Sequence, residues 1–156
     1  MKKKKKKKGF SLLELLIVVA IILIIATIAI PSLLRSRQST NESAGIGDMR
    51  TINTGEVTYA SSNAQNYGTF QDLTKAGLLD TRFVAGGKLH GFVWTEGVAV
   101  SDPNGAVLGG APPAAYGFLA THDGTSARYD YESGTDAVVR YGPVAPAGKA
   151  QHVPVQ

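Results

Sequence analysis

Three sets of side chains in this 156-residue sequence have the types that chemistry requires. The first is a single carboxylate, Glu14, inside an apolar run: from Leu12 to Ile30 only Glu14 and Thr27 are polar, and fourteen of the nineteen residues are Leu, Ile or Val. An ionisable group in such a run needs a partner, which makes Glu14 a functional candidate. The second set is Asp130, Glu132 and Asp136, interleaved with Ser133 and Thr135, whose oxygens could ligate calcium. No recognised ligand spacing is present there, and a solvated turn is the simpler reading. The third is His90, His122 and His152, spaced so that no two share a helical face; each reads as a surface or strand residue before a metal ligand. There is no G-x-S-x-G, no phosphate-cradling loop and no cysteine, hence no thiol nucleophile, thiolate metal site or disulfide. The expectation is a protein that is not an enzyme and needs no cofactor.

The element that carries Glu14 has the length of a transmembrane helix. Fourteen large aliphatic residues supply on the order of −6 kcal/mol of insertion free energy, against about +3 kcal/mol for a central carboxylate, so insertion survives Glu14. The block Lys2 to Lys8 precedes it and predicts a cytoplasmic N terminus, with the C-terminal body outside. That block holds seven of the sixteen basic residues and accounts for the formal charge of +4. From Phe10 onward nine bases face twelve acids, a net of −3, which does not support a general grip on nucleic acid. An ordinary secretory signal would place small residues after the apolar run, but Ala26 to Ile30 form no clean small-x-small pattern, and the small residue is Gly9, before the run.

The join Gly9-Phe10-Ser11-Leu12-Leu13-Glu14, continuing through the aliphatic run to Pro31-Ser32, resembles the class III signal of type IV pilins and pseudopilins. The resemblance implies cleavage by a prepilin peptidase between Gly9 and Phe10 and methylation of the new Phe10 amino group. It also implies that Glu14 pairs with the Phe10 ammonium of a neighbouring subunit as a filament assembles. Two departures stand out. Leu23 occupies a position where most family members carry glycine, so unwinding between Leu23 and Pro31 is left open, although Pro31 itself removes one helical hydrogen bond. The family's frequent C-terminal disulfide loop is absent. Some major pseudopilins bind calcium in the region matching Asp130 to Asp136.

Beyond Pro31 the helix is expected to continue to about Ser62, roughly 78 Å in all. Ile46, Met49, Val57 and Ala60 form a stripe with Asn53 between them and Ile52 and Tyr59 beside it, weakened by Gly45, Gly47 and Gly55. Thr69, with Asp72 three residues on, predicts a short capped helix that stops at Gly77. Period-two patterning then places Phe92 with Trp94 on one strand face and Tyr116, Phe118 and Ala120 on another. Asp123-Gly124 signals a hairpin, Tyr129 and Tyr131 alternate beyond it, and Ala137 to Tyr141 reads as a further strand. With Tyr59, Tyr67 and Phe70, these aromatics suit a sheet core. Gly97 to Ala115 reads as a surface loop with a brief strand at Val98 to Val100.

The predicted fold is therefore α+β: a long N-terminal helix, its first half transmembrane, packed on three or four antiparallel strands, which agrees with what the resemblance implies. The divisions are a leader at 1–9, a membrane and filament-core helix at 10–34, the rest of the helix with the globular body at 35–141, and an irregular tail at 142–156. The leading function is a structural subunit of a homo-oligomeric, helical type IV pilus-like filament, resident in the bacterial inner membrane before the assembly machinery extracts it to the cell surface for adhesion, motility or DNA uptake. The alternative is a pseudopilin of a type II secretion system in a periplasmic pseudopilus. The Trp-Gly-Pro-type loop common in major pseudopilins is not matched, since Trp94 precedes Thr95 and Glu96. A third reading is a membrane-anchored enzyme or binding protein that never assembles, which would retain Gly9-Phe10.

Overall fold

The computed structural model describes residues 9–102, 104, 106–142 and 153–155. The chain divides into two compact units after Ser36. Helix α1, Leu12–Ser62, is assigned without interruption, so the backbone stays helical through Leu23 and Pro31. In the first unit the helix is apolar on every side, and its large side chains are exposed: Leu23 is 61% accessible and Ile28 is 74%. A helix with no polar face lacks a reason to stay in water. It is long and apolar enough to cross a membrane.

In the second unit, α1 is amphipathic. Gly45, Met49, Ile52, Asn53, Glu56 and Ala60 are buried, at the i, i+3, i+4, i+7 intervals that keep one side of a helix together. The expected stripe is thereby rotated: Ile52 belongs to the core, whereas Val57 is 53% exposed. Helix α2, Phe70–Lys75, is the predicted capped turn, with the Thr69 hydroxyl accepting from the Asp72 amide and the Asp72 carboxylate accepting from the Thr69 amide. Gly77 follows at φ +72°, a conformation glycine adopts without strain.

The sheet is a six-stranded antiparallel meander in sequence order: β1 (Lys88–Leu89), β2 (Phe92–Glu96), β3 (Gly117–His122), β4 (Asp130–Gly134), β5 (Arg140–Gly142) and β6 (Val153–Pro154). The sheet thus has two strands more than the larger number expected. β1 is joined to β2 by His90-Gly91, both at positive φ, as a two-residue hairpin turn requires. β6 pairs with Arg140 and Tyr141, so part of the stretch expected to be an irregular tail is a sheet edge. The β3–β4 connection runs from 123 to 129, longer than a tight Asp-Gly hairpin. β5 begins at Arg140, not at Ala137, because Ala137 has φ +57°, outside the strand region.

Alternation works as predicted on β2 and β3. Phe92, Trp94, Phe118 and Ala120 are all buried, together with Tyr116 just before β3, and join Met49, Ile52, Phe70, Leu73 and Tyr131 in one core. The rings meet edge-on, Phe92 with Tyr131 at 5.6 Å and Phe83 with Trp94 at 5.5 Å between centroids, a geometry that suits aromatic quadrupoles. A buried polar network runs between helix and sheet: the Tyr116 hydroxyl donates to Asn53 Oδ1 (3.1 Å), and Asn53 Nδ2 donates to Ser133 Oγ (3.0 Å) and to the Ala137 carbonyl (3.1 Å). The loop after β2 is less superficial than expected. Val100 is buried, Ser101 bridges to Val107, and the Thr135 amide donates to the Leu108 carbonyl. Val98 to Val100 is not a strand.

Candidate assembly site at the N terminus

The first turn of α1 brings together the residues singled out by the sequence. Ser11 precedes the helix and its carbonyl accepts the Leu15 amide at 3.2 Å. Glu14, third in the helix, turns its carboxylate back toward the Ser11 amide, Oε2 to N at 3.4 Å. This is half of a capping box, and Ser-x-x-Glu at positions 11 to 14 is its sequence signature, a signal not used in the reading above. A carboxylate here also offsets the positive end of the helix dipole and the orphan amides of the first turn. Phe10 is 81% exposed, and nothing lies within 4 Å of where a Gly9 side chain would begin. The Gly9-Phe10 bond therefore stands clear of packing, with Glu14 one turn away.

Further along, Ala20 interrupts the large side chains and leaves an apolar groove of about 340 Å³ bounded by Leu16, Val19 and Leu23. Thr27 donates its hydroxyl to the Ile24 carbonyl at 2.7 Å, which keeps its polar group inside the helix surface. Pro31 offers no amide to the Thr27 carbonyl, yet the helix continues past it.

Elsewhere the titratable groups serve structure. The His90 ring contacts Asp48 (Nδ1 to Oδ2, 2.6 Å), pinning the β1–β2 hairpin to α1. The His122 ring and amide both meet Asp130 Oδ1, at 2.7 and 2.9 Å, with both side chains buried. His152 lies outside the described residues, as does the block Lys2 to Lys8. Asp136 is paired with Arg140. Among the described residues no group of three His, Asp or Glu side chains could hold a metal ion; of the calcium candidates, Asp130 and Glu132 lie on β4, Asp130 against His122, and Asp136 is engaged by Arg140.

Two carboxylates were not singled out. Glu42 receives the Arg128 amide (2.8 Å), Nε (3.0 Å) and NH2 (2.7 Å), and these bonds hold its pKa below the usual range. With Asn41, which donates to the Ser126 carbonyl at 2.8 Å, it fastens the β3–β4 loop to α1. Glu56 is 2% exposed and accepts the Gly68 amide at 3.1 Å; burial, with Glu96 and Asp72 nearby, pushes its pKa up to about 7. Only their helical phase with Met49 and Asn53 could have marked them as buried.

An apolar helix with one acid in its first turn, followed by an α+β body, is a pilin-like fold. Residues 4–30 match the family model described as the prokaryotic N-terminal methylation motif, the class III prepilin signal of type IV pilins and pseudopilins. The matched stretch contains Gly9, Phe10, Glu14 and Leu23 and ends one residue before Pro31. No curated protein sequence matches the chain.

Proposed function

We propose that this chain is the structural subunit of a type IV pilus-like filament. The observation that carries the reading is the methylation motif on a helix whose large apolar side chains are exposed. A prepilin peptidase cuts between Gly9 and Phe10 and the Phe10 amine is methylated. The cut places an ammonium at the positive end of a helix dipole, where a cation is unfavourable. The Glu14 carboxylate of an adjacent copy neutralises it, and because one acid meets one amine the pairing sets the axial register. Interdigitating Leu, Ile and Val side chains then hold the bundle, whose subunits leave the inner membrane as they join it. Pro31 supplies a point where the helix can yield during that transfer.

The test is electron microscopy of filaments sheared from cells expressing the native chain, labelled with antibody against the body, together with the mass of the mature N terminus. The expected outcome is labelled fibres and a methylated N-terminal Phe10. Label confined to the envelope with normal cleavage points to a secretion pseudopilus. Retention of Gly9-Phe10 overturns both.

A further inference from the structure

We propose that the connection between α1 and α2, residues 63–69, is a proton-operated latch: it is closed while Glu56 is protonated and opens locally when Glu56 ionises. The connection is thinly held. Ser61 to Asn66 are all exposed, and Ala64 and Gln65 sit at φ 53° and 63°, in the left-handed region that is costly for a residue with a side chain. Strained backbone of this kind persists only while its surroundings hold it, and segments with few buried contacts open first. Its C-terminal end is fastened. The Tyr67 amide donates to the Pro113 carbonyl at 3.0 Å, with the Tyr67 ring edge-on to Tyr116 at 4.8 Å between centroids. The Gly68 amide donates to Glu56 Oε2 at 3.1 Å, and Gly68 is seated so closely that a side-chain carbon there would lie 2.8 Å from Leu73 Cδ1.

Glu56 is the fastener that a proton controls. It is buried on α1, and its charge meets like charge from two directions, Glu96 on β2 and Asp72 on α2. The Tyr116 phenol ahead of β3, held up by burial first and by Glu56 second, stays neutral through the same range. With a proton, Glu56 still accepts from Gly68 and leaves no buried charge. Without it, one amide does not replace the water that a carboxylate loses, and burial outweighs the bond. Moving residues 66–68 outward readmits water to the carboxylate and relaxes Ala64 and Gln65 in the same step. Opening also frees the Pro113 carbonyl from Tyr67, so the turn ahead of β3 loosens with it. The switch lies within the body and does not depend on filament assembly.

Hydrogen exchange of the full-length chain in detergent micelles, read by mass spectrometry and corrected for the pH dependence of the chemical step, tests this. Protection of the Tyr67 and Gly68 amides is expected to fall about tenfold or more between pH 5.5 and pH 8. At pH 8 it is expected to lie about tenfold or more below that of β3, the mark of a local opening. Glu56→Gln, which keeps an acceptor for Gly68, removes the fall. If that variant does not fold, Glu96→Gln serves in its place, since loss of one neighbouring acid moves the fall to lower pH. Constant protection in the parent, equal protection of the connection and β3 at pH 8, a fall that persists in Glu56→Gln, or a fall that Glu96→Gln leaves unmoved overturns the latch.

Discussion

Glu56 and Glu42 are both buried acids on α1, and their pKa values shift in opposite directions because burial dominates at Glu56 and a guanidinium partner dominates at Glu42. Glu42 faces a guanidinium and is held as a carboxylate. Glu56 is removed from water and has two acidic neighbours, against which a single backbone amide is too little, so the folded state favours its protonated form. Its folded pKa of about 7 lies above the unfolded value of 4.5. The associated stability is complete below about pH 4.5 and is lost as the pH rises through about 7. The melting temperature of the body, followed by near-ultraviolet circular dichroism, is expected to fall between pH 5 and pH 8, with a free-energy loss on the order of 3 kcal/mol. Glu56→Gln keeps an acceptor for Gly68 and should flatten that profile; an unchanged profile removes Glu56 as the cause. Glu42→Ala should cost about 1 to 3 kcal/mol, because the Arg128 amide loses its acceptor, and the loss is measured as a lower urea midpoint.

At the level of the helix, glycines that look equivalent in sequence are not equivalent in the fold. A side-chain carbon at Gly45 would lie 2.8 Å from Phe92 Cε2, and one at Gly55 would lie 3.1 Å from Leu73 Cδ2, whereas at Gly47 nothing lies within 4 Å. Gly47→Ala is therefore expected to stabilise by roughly 0.5 to 1 kcal/mol through helix propensity alone. Gly45→Ala forces the Phe92 ring to move and is expected to destabilise by about 1 to 3 kcal/mol. Thermal melts of the two variants should shift in opposite directions. All three glycines read as weak points when only propensity was available; two of them are close approaches that let the helix reach its neighbours. The capped α2 was legible from Thr69 and Asp72 because capping is local. The ends of β5 were not, since the positive φ at Ala137 accompanies the bond from Asn53 Nδ2 to its carbonyl, 84 residues away in the chain.

For the whole molecule, the proposed consequence of the N-terminal chemistry is assembly. Glu14→Ala should leave the subunit level in the envelope unchanged, because removing a carboxylate favours insertion, and should reduce sheared filaments at least tenfold as register is lost. Quantitative immunoblotting of both fractions decides the matter, and equal filament yield removes Glu14 from the assembly step. The apolar run, its lone acid and the glycine before Phe10 were decided by the sequence alone, because partition into a bilayer depends on composition and length, and a signal of this kind is read as a short linear stretch. Capping at Thr69 and the alternation of Phe92 with Trp94 belong to the same class, being set within a few residues. Only the tertiary structure decided that Val57 faces outward, that Glu42 and Glu56 are buried, that Arg128 clasps Glu42, and that Val153–Pro154 close the sheet edge. Each of these depends on groups brought together across tens of residues, and their spacing along the chain carries no trace of the contact.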